Sequence, residues 1–330
     1  MTELLIAGGV TFGVTAIIGL FLVPFLRRAK AGQSIREDGP KSHLSKAGTP
    51  SMGGFMFIIA IAVVGLVLTL PKMRDGDYSF LLVLVFALVY AVIGFVDDLE
   101  KLKKKQNLGL TAKQKFLLQL VIAVAFVLLL RLFKFVTPNL YIPFVNTSIP
   151  LPEPVYLVFA AFVIVAEVNG ANLTDGADGL VSGVTLPIAV ACAAISLLTG
   201  VVTGAGIFSA ALVGGLLGFL LFNFHPARVF MGDTGAQFLG GAVAALAFIL
   251  DVPLLLVLLG FIYFVEALSD VIQVTYYKAT HGKRFFKMAP IHHHFELSGW
   301  SEYKIFFSFT FVSAVFCAVA YFAVKMRYLV

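Results

Sequence analysis

Ten times along this 330-residue chain the sequence runs apolar for about the 20 residues that a helix needs to cross a bilayer. The windows fall near 3–26, 51–70, 79–97, 115–136, 154–170, 180–200, 206–222, 235–250, 254–277 and 304–325. With 60% hydrophobic residues and only 13% charged, no ordinary soluble domain needs this much apolar side chain. The chain reads as an all-α, polytopic bundle of about ten transmembrane helices. It shows no internal repeat, low-complexity tract or long linker, so residues 1–330 are expected to form a single membrane domain.

Charge orients the bundle. No basic residue precedes the first window, whereas Arg27, Arg28 and Lys30 follow it directly, the reverse of a signal peptide's layout. Alternation from there gives one set of loops Arg36, Lys41, Lys46, the Lys101–Lys105 run, Lys113, Lys115, Arg228, Lys278, Lys283, Arg284 and Lys287. The other set receives only Lys72, Arg74, Arg131, Lys134, Lys325 and Arg327. This asymmetry predicts that both termini lie outside and that the basic loops are cytoplasmic. The net charge of +6, gathered on that face, suits anionic lipid headgroups or a phosphorylated substrate. Nucleic acid is not an expected partner, because no recognisable module surrounds the lysine run. Cys192 and Cys317 lie within apolar windows and offer neither a disulfide framework nor a metal spacing.

The polar residues gather in five loops of that same face: KSHLSKAGTPSMGG at 41–54, VDDLEKLKKK at 96–105, NGANLTDGADGL at 169–180, NFHPARVFMGDTG at 223–235 and MAPIHHHFELSGW at 288–300. Any one of them is ordinary turn chemistry; five together point to one site. Asp97 and Asp98 stand where an apolar run meets the lysines. Asp175 and Asp178 are three apart, and a helical turn would put both on one face. Asp233 either offers a carboxylate to a cation at the surface or caps the span that follows. Clustered aspartates without cysteine favour a hard cation, Mg²⁺ or Mn²⁺, completed by water and substrate phosphates. Neither a Walker loop nor a dinucleotide fingerprint is present. His292, His293 and His294 are consecutive and diverge in direction, so a phosphate or acid–base contact by one of them is favoured over a zinc site. Glu266, Asp270 and Gln273 form a polar stripe inside the ninth window. Like Glu167, that stripe serves either a structural network or a substrate-lining role.

VDDLEK, NLTDGADGL, NFHPARVFMGDTG and APIHHHFE, in this order on alternating loops, resemble the polyprenyl-phosphate N-acetylhexosamine-1-phosphate transferases. GTPSMGG and PIHHHFE resemble the branch of that superfamily that takes a muramoyl-pentapeptide. The match runs from Lys41 to Glu296. The resemblance implies transfer of phospho-MurNAc-pentapeptide from UDP-MurNAc-pentapeptide to undecaprenyl phosphate at the cytoplasmic face of a bacterial plasma membrane. UMP is released, Mg²⁺ is required, and the family would imply a homodimer among membrane lipids. It further implies Asp233 as metal ligand, Asp97 as base, Asp98 as a positioning or metal-linked carboxylate, and His292 within the catalytic set. Lys101 and Lys113, with Lys46, are implied to neutralise phosphate. Asn172, Asp175, Asp178, Asn223, Phe230 and Gln273 match the nucleoside and sugar region, where Phe230 could stack on uracil. His292 and His293 match polar contacts near the phosphates or sugar. Whether an aspartate attacks covalently or the lipid phosphate attacks directly stays open here. A sister GlcNAc-1-phosphate transferase and an ion-coupled transporter are the alternatives, and PIHHHFE and the absence of inverted repeats stand against them.

Overall fold

A computed structural model describes residues 1–29, 46, 48–104, 109–198 and 203–327. Lys30, Arg36, Lys41 and Lys105, and most of KSHLSKA apart from Lys46, lie outside these. The helices, in chain order, are α1 (Thr2–Arg28), α2 (Phe55–Arg74), α3 (Ser79–Lys104), α4 (Ala112–Leu132), α5 (Glu153–Thr174), α6 (Leu180–Leu197), α7 (Gly204–Asn223), α8 (Gly232–Ile249), α9 (Leu256–Leu259), α10 (Phe261–Ala279), α11 (Ile291–Glu296) and α12 (Glu302–Arg327). Among the described residues, nine are single helices long and apolar enough to span. The protein is a polytopic helical membrane protein.

The tenth expected span is broken. Pro253–Leu259 and Phe261–Ala279 meet at an angle of 81° at Gly260, against which the buried Glu167 carboxylate of α5 lies. Hydropathy reads 254–277 as continuous because glycine leaves an apolar average nearly unchanged. The Pro-rich outer segment forms the small hairpin its turn residues suggest, with β1 (Asn139–Ile142) antiparallel to β2 (Thr147–Pro150) and Asn139 opposite Pro150.

Lipid is as apolar as leucine, so helices in a bilayer associate through close packing and hydrogen bonds, and small residues favour both. The sequence of α8, GDTGAQFLGGAVAALAFI, is built that way and sits at the centre, 89% buried over its apolar window against 28% for α1 and α4. It packs on α3 and α5, while α1 packs on α7. Large side chains such as Phe21, Leu132, Phe162 and Phe311 stay exposed around the perimeter, as a lipid-facing surface requires. At Gly94 a side chain would overlap the Asp233 carbonyl, so α3 and α8 touch backbone to backbone one turn before Asp98.

Local signals fix the helix ends that matter. Thr111 caps α4 in a reciprocal box with Gln114, and Thr203 accepts the Gly206 N–H to start α7. The ends of α3, α5 and α7 meet the beginnings of α4, α6, α8 and α12 on one face of the bundle, while Thr203 sits at the opposite face, where the start of α7 bonds to Asp77 and Ser79.

Candidate active site

Four helices converge on a cluster of carboxylates and lysines. Asp97 and Asp98 are buried in the last turns of α3. Asp98 accepts the Asp233 N–H (3.1 Å) through Oδ1, and the Thr234 N–H (3.0 Å) and hydroxyl (2.7 Å) through Oδ2. The first N–H groups of a helix have no intrahelical acceptor and favour an anion, so Asp98 caps α8 from a neighbouring helix. The cap of that span is therefore Asp98, which leaves the Asp233 side chain free for other work.

Asp97 accepts the Leu110 N–H (2.8 Å) and pairs with Lys101 Nζ (2.7 Å), one turn further along α3. Asp233 Oδ2 lies 2.6 Å from Lys115 Nζ and 3.1 Å from Lys101 Nζ. Lys115 also donates to Asn172 Oδ1 (3.0 Å) and stands 4.0 Å from Asp97. Asp175, just past the end of α5, feels the charges of Asp233 and Asp98. Burial, then those two charges, hold its carboxyl well above the usual carboxylate range.

A second cluster closes the neighbouring loops. Lys46 Nζ sits 2.7 Å from both Asp178 Oδ1 and Glu302 Oε2. The other Asp178 oxygen takes His225 Nδ1 (2.8 Å) and the Ala227 N–H (3.0 Å), and the Asp178 N–H donates to Glu302 (3.0 Å). Burial would raise the Asp178 carboxyl, but the Lys46 charge and these hydrogen bonds outweigh it and hold the group below its ordinary value. Asp178, His225 and Glu302 present donors close enough to hold a metal ion, and the Lys46 ammonium already lies on two of them.

The histidines diverge. His292 is fully buried, with Nδ1 3.1 Å from Glu266 Oε2 and Nε2 facing Gly176, where a side chain would overlap the ring. Nε2 has no partner among the described residues. His293 pairs with Glu296 (2.6 Å), and His294 Nδ1 accepts the Lys287 N–H (3.1 Å). Gln273 Oε1 accepts the Phe285 and Phe286 N–H groups and so fixes the loop before α11. Asn223 donates to the Val229 carbonyl (2.9 Å) and buries an Oδ1 with no partner among the described residues. Phe230 is half-buried, its backbone paired with Pro50 and Gly53.

Two expectations change, and one further residue joins the site. Lys113 is exposed at the start of α4, and Lys115, which the sequence reading did not select, reaches the aspartates instead. The two residues are about 200° apart around a helix, so only one of them can face the bundle. Asp175 and Asp178 do not share a helical face, because α5 ends at Thr174 and the chain turns before α6, with Gly179 at φ 72°. Glu302 also escaped notice, since a lone acid in a first helical turn has the look of a simple cap. Lys115 did carry a signal, as it opens an i, i+4 polar pair with Gln119 on a mostly apolar helix.

The donors suit a hard cation. Asp97 and Asp233 share the Lys101 and Lys115 ammonium groups, with the Asp98 and Asp175 carboxyls beside them, and the donors are oxygen.

A helical membrane protein whose acid and lysine residues meet where helix ends emerge is equipped to hold phosphates at the surface of a bilayer. Consistent with that, the description of glycosyl transferase family 4 matches residues 80–251, the segment that carries Asp97, Asp98, Lys101, Lys115 and Asp233. Several curated relatives match almost end to end. The one from Caldanaerobacter subterraneus subsp. tengcongensis is 45% identical over 98% of this chain and 99% of its own length. Those from Desulforamulus reducens (47%; 96% and 95%) and Bacillus subtilis (46%; 90% and 90%) are similar. All three are named phospho-N-acetylmuramoyl-pentapeptide-transferase, and the chain belongs to that family.

Proposed function

We propose that the protein transfers phospho-MurNAc-pentapeptide from UDP-MurNAc-pentapeptide to undecaprenyl phosphate, giving lipid I and UMP, the first membrane step of peptidoglycan synthesis. The observation that carries this reading is the set of Lys101 and Lys115 on Asp97 and Asp233, at the ends of membrane helices. A lipid phosphate cannot leave the headgroup layer and a nucleotide cannot enter the hydrocarbon, so the reaction needs a site at this depth. The basic loops of the same face favour its being cytoplasmic, in the plasma membrane.

In the reaction an oxygen of the lipid phosphate forms a bond to the phosphorus that bears the sugar. The bond from that phosphorus to the bridging oxygen breaks, and UMP leaves with the electron pair. One pyrophosphate linkage replaces another, so no ATP is consumed. Anion attacking anion makes positioning and charge neutralisation the main tasks. Lys101 and Lys115 exchange their carboxylate partners for phosphate oxygens, and Asp97 takes the proton of the incoming lipid phosphate. Asp98 keeps α8, and with it Asp233, in register. Asp233 would hold Mg²⁺, which would supply neutralisation of the pyrophosphate. His292, fixed by Glu266, directs Nε2 toward the Gly176 turn, and Lys46, Asp178, Asn223 and Phe230 form the nucleoside side.

The test is UMP release by purified protein with Mg²⁺ and undecaprenyl phosphate, comparing UDP-MurNAc-pentapeptide with UDP-GlcNAc. Release from the muramoyl substrate alone, dependent on both lipid and metal, is expected. Release from UDP-GlcNAc instead would move the protein to the sister reaction, and a stoichiometric UMP burst without lipid would replace direct attack by a covalent aspartyl-phosphate.

A further inference from the structure

One helical turn deeper than the charged cluster, its pairing pattern is repeated in neutral groups. On α4, Lys115 is followed by Gln119; on α8, Asp233 is followed by Gln237; on α5, Asn172 is preceded by Asn169. In the upper rung Lys115 reaches Asp233 (2.6 Å) and Asn172 (3.0 Å). In the lower rung Gln119 Nε2 donates to Gln237 Oε1 (3.2 Å), while Gln119 Oε1 accepts from Asn169 Nδ2 (2.7 Å). The same three helices are joined twice, in the same order. A fourth helix joins at the same residue, because the Tyr90 hydroxyl of α3 donates to the Gln119 carbonyl (2.8 Å). The helices that carry Asp97 and Lys101, Lys115, Asn172 and Asp233 therefore all meet at Gln119.

Both glutamines are fully buried, and Gln237 Nε2 finds no partner among the described residues. A buried amide with an unmet donor is unfavourable, and leucine would fill nearly the same volume in an apolar bundle without that penalty. The amides do something leucine cannot, which is to fix the rotation and depth of one helix against another. A side-chain hydrogen bond admits one register, whereas apolar surfaces slide and roll with little change in contact.

We propose that Gln119 and Gln237 are positioning residues that deliver Lys115 to Asp233. The inference rests on the transferase reading for its effect on turnover, and on geometry alone for its effect on Lys115. Without the rung, Tyr90 still holds the backbone of α4 against α3, but α4 loses its side-chain register against α5 and α8 and the Lys115 ammonium moves off the carboxylate.

The test uses the full-length protein in detergent, with Q119L, Q237L and the double variant, each checked by thermal unfolding. Misplacing a catalytic group by an ångström can lose about 100-fold in rate, so Q119L is expected to lower kcat by about 10- to 100-fold with both KM values within about twofold. Q237L, which leaves the Asn169 bond intact, is expected to fall less, and the double variant no further than Q119L, because the residues act as one unit. Independently of turnover, acetylation of Lys115 by acetic anhydride, followed by mass spectrometry, is expected to quicken in Q119L and Q237L as the ion pair loosens. Unchanged kcat together with unchanged labelling would overturn the proposal, as would a rise in KM at constant kcat. Should Q119L fail to fold, Q237L carries both readouts. A wild-type protein that releases no UMP from any sugar nucleotide strikes the transferase reading, and the labelling comparison still decides the ladder.

Discussion

Lys113 and Lys115 are chemically identical and two positions apart, yet one faces outward and the other lies against Asp233. Their difference is one of helix phase, which Thr111 begins to set by capping α4 and which packing against α5 and α3 completes. Removing one preorganised donor from a charge-stabilising site typically loses about 100- to 1000-fold in kcat, and Lys115→Ala is expected to fall in that range. Lys113→Ala is expected to stay within about twofold, and steady-state UMP release distinguishes the two. Asp233→Asn is expected to abolish turnover even at high Mg²⁺; substantial activity would remove it as the essential metal ligand.

Asp178 makes a prediction in pH. Its folded carboxyl lies below the ordinary value of 3.8, so the stability it contributes is fully present above that value and is lost as pH falls through the lower folded one. Removing one partner from a buried ion pair destabilises by about 3 to 5 kcal/mol, and Asp178→Asn is expected to lower the unfolding temperature accordingly at pH 7. Below about pH 4 the wild type should lose stability more steeply than the variant, so the two unfolding temperatures converge. Thermal scans between neutral and acid pH check both parts.

At the scale of elements, the site depends on two helices meeting backbone to backbone. A methyl group at Gly94 would occupy the position of the Asp233 carbonyl, so Gly94→Ala must push α3 from α8. Overpacking of this kind destabilises by about 1 to 3 kcal/mol, and here it also separates Asp98 from the α8 N–H groups it caps. Gly94→Ala is expected to lower both the unfolding temperature and kcat. Gly13→Ala, where a side chain meets nothing within 4 Å, should change neither. The positions of the spans were legible in the sequence to within a few residues, because span length is a property of apolar runs. The 81° break between α9 and α10 was not, since it depends on Gly260 lying against a buried carboxylate from α5.

For the whole molecule, the described residues of the five polar loops lie on one face of the bundle, as alternation of the spans required. Which side of the membrane that face occupies follows from the distribution of lysine and arginine and can be measured. Cys192 and Cys317 are buried, so introduced cysteines report on a quiet background. A membrane-impermeant maleimide is expected to label Asp75→Cys in intact spheroplasts and Lys103→Cys only after permeabilisation; the opposite pattern would invert the orientation.

The sequence alone determined the class of fold, the approximate number of spans and the face on which polar and acidic residues gather. Each of these is written in the length of an apolar run or in the identity of residues within a loop. The tertiary structure decided which lysine serves Asp233, that Asp98 caps a helix other than its own, that Asp175 and Asp178 turn to different partners, and that Gln119 joins the four helices of the site. These depend on the rotation of one helix against another. Apolar patterning fixes that rotation only loosely, and a few buried hydrogen bonds and glycine contacts settle it.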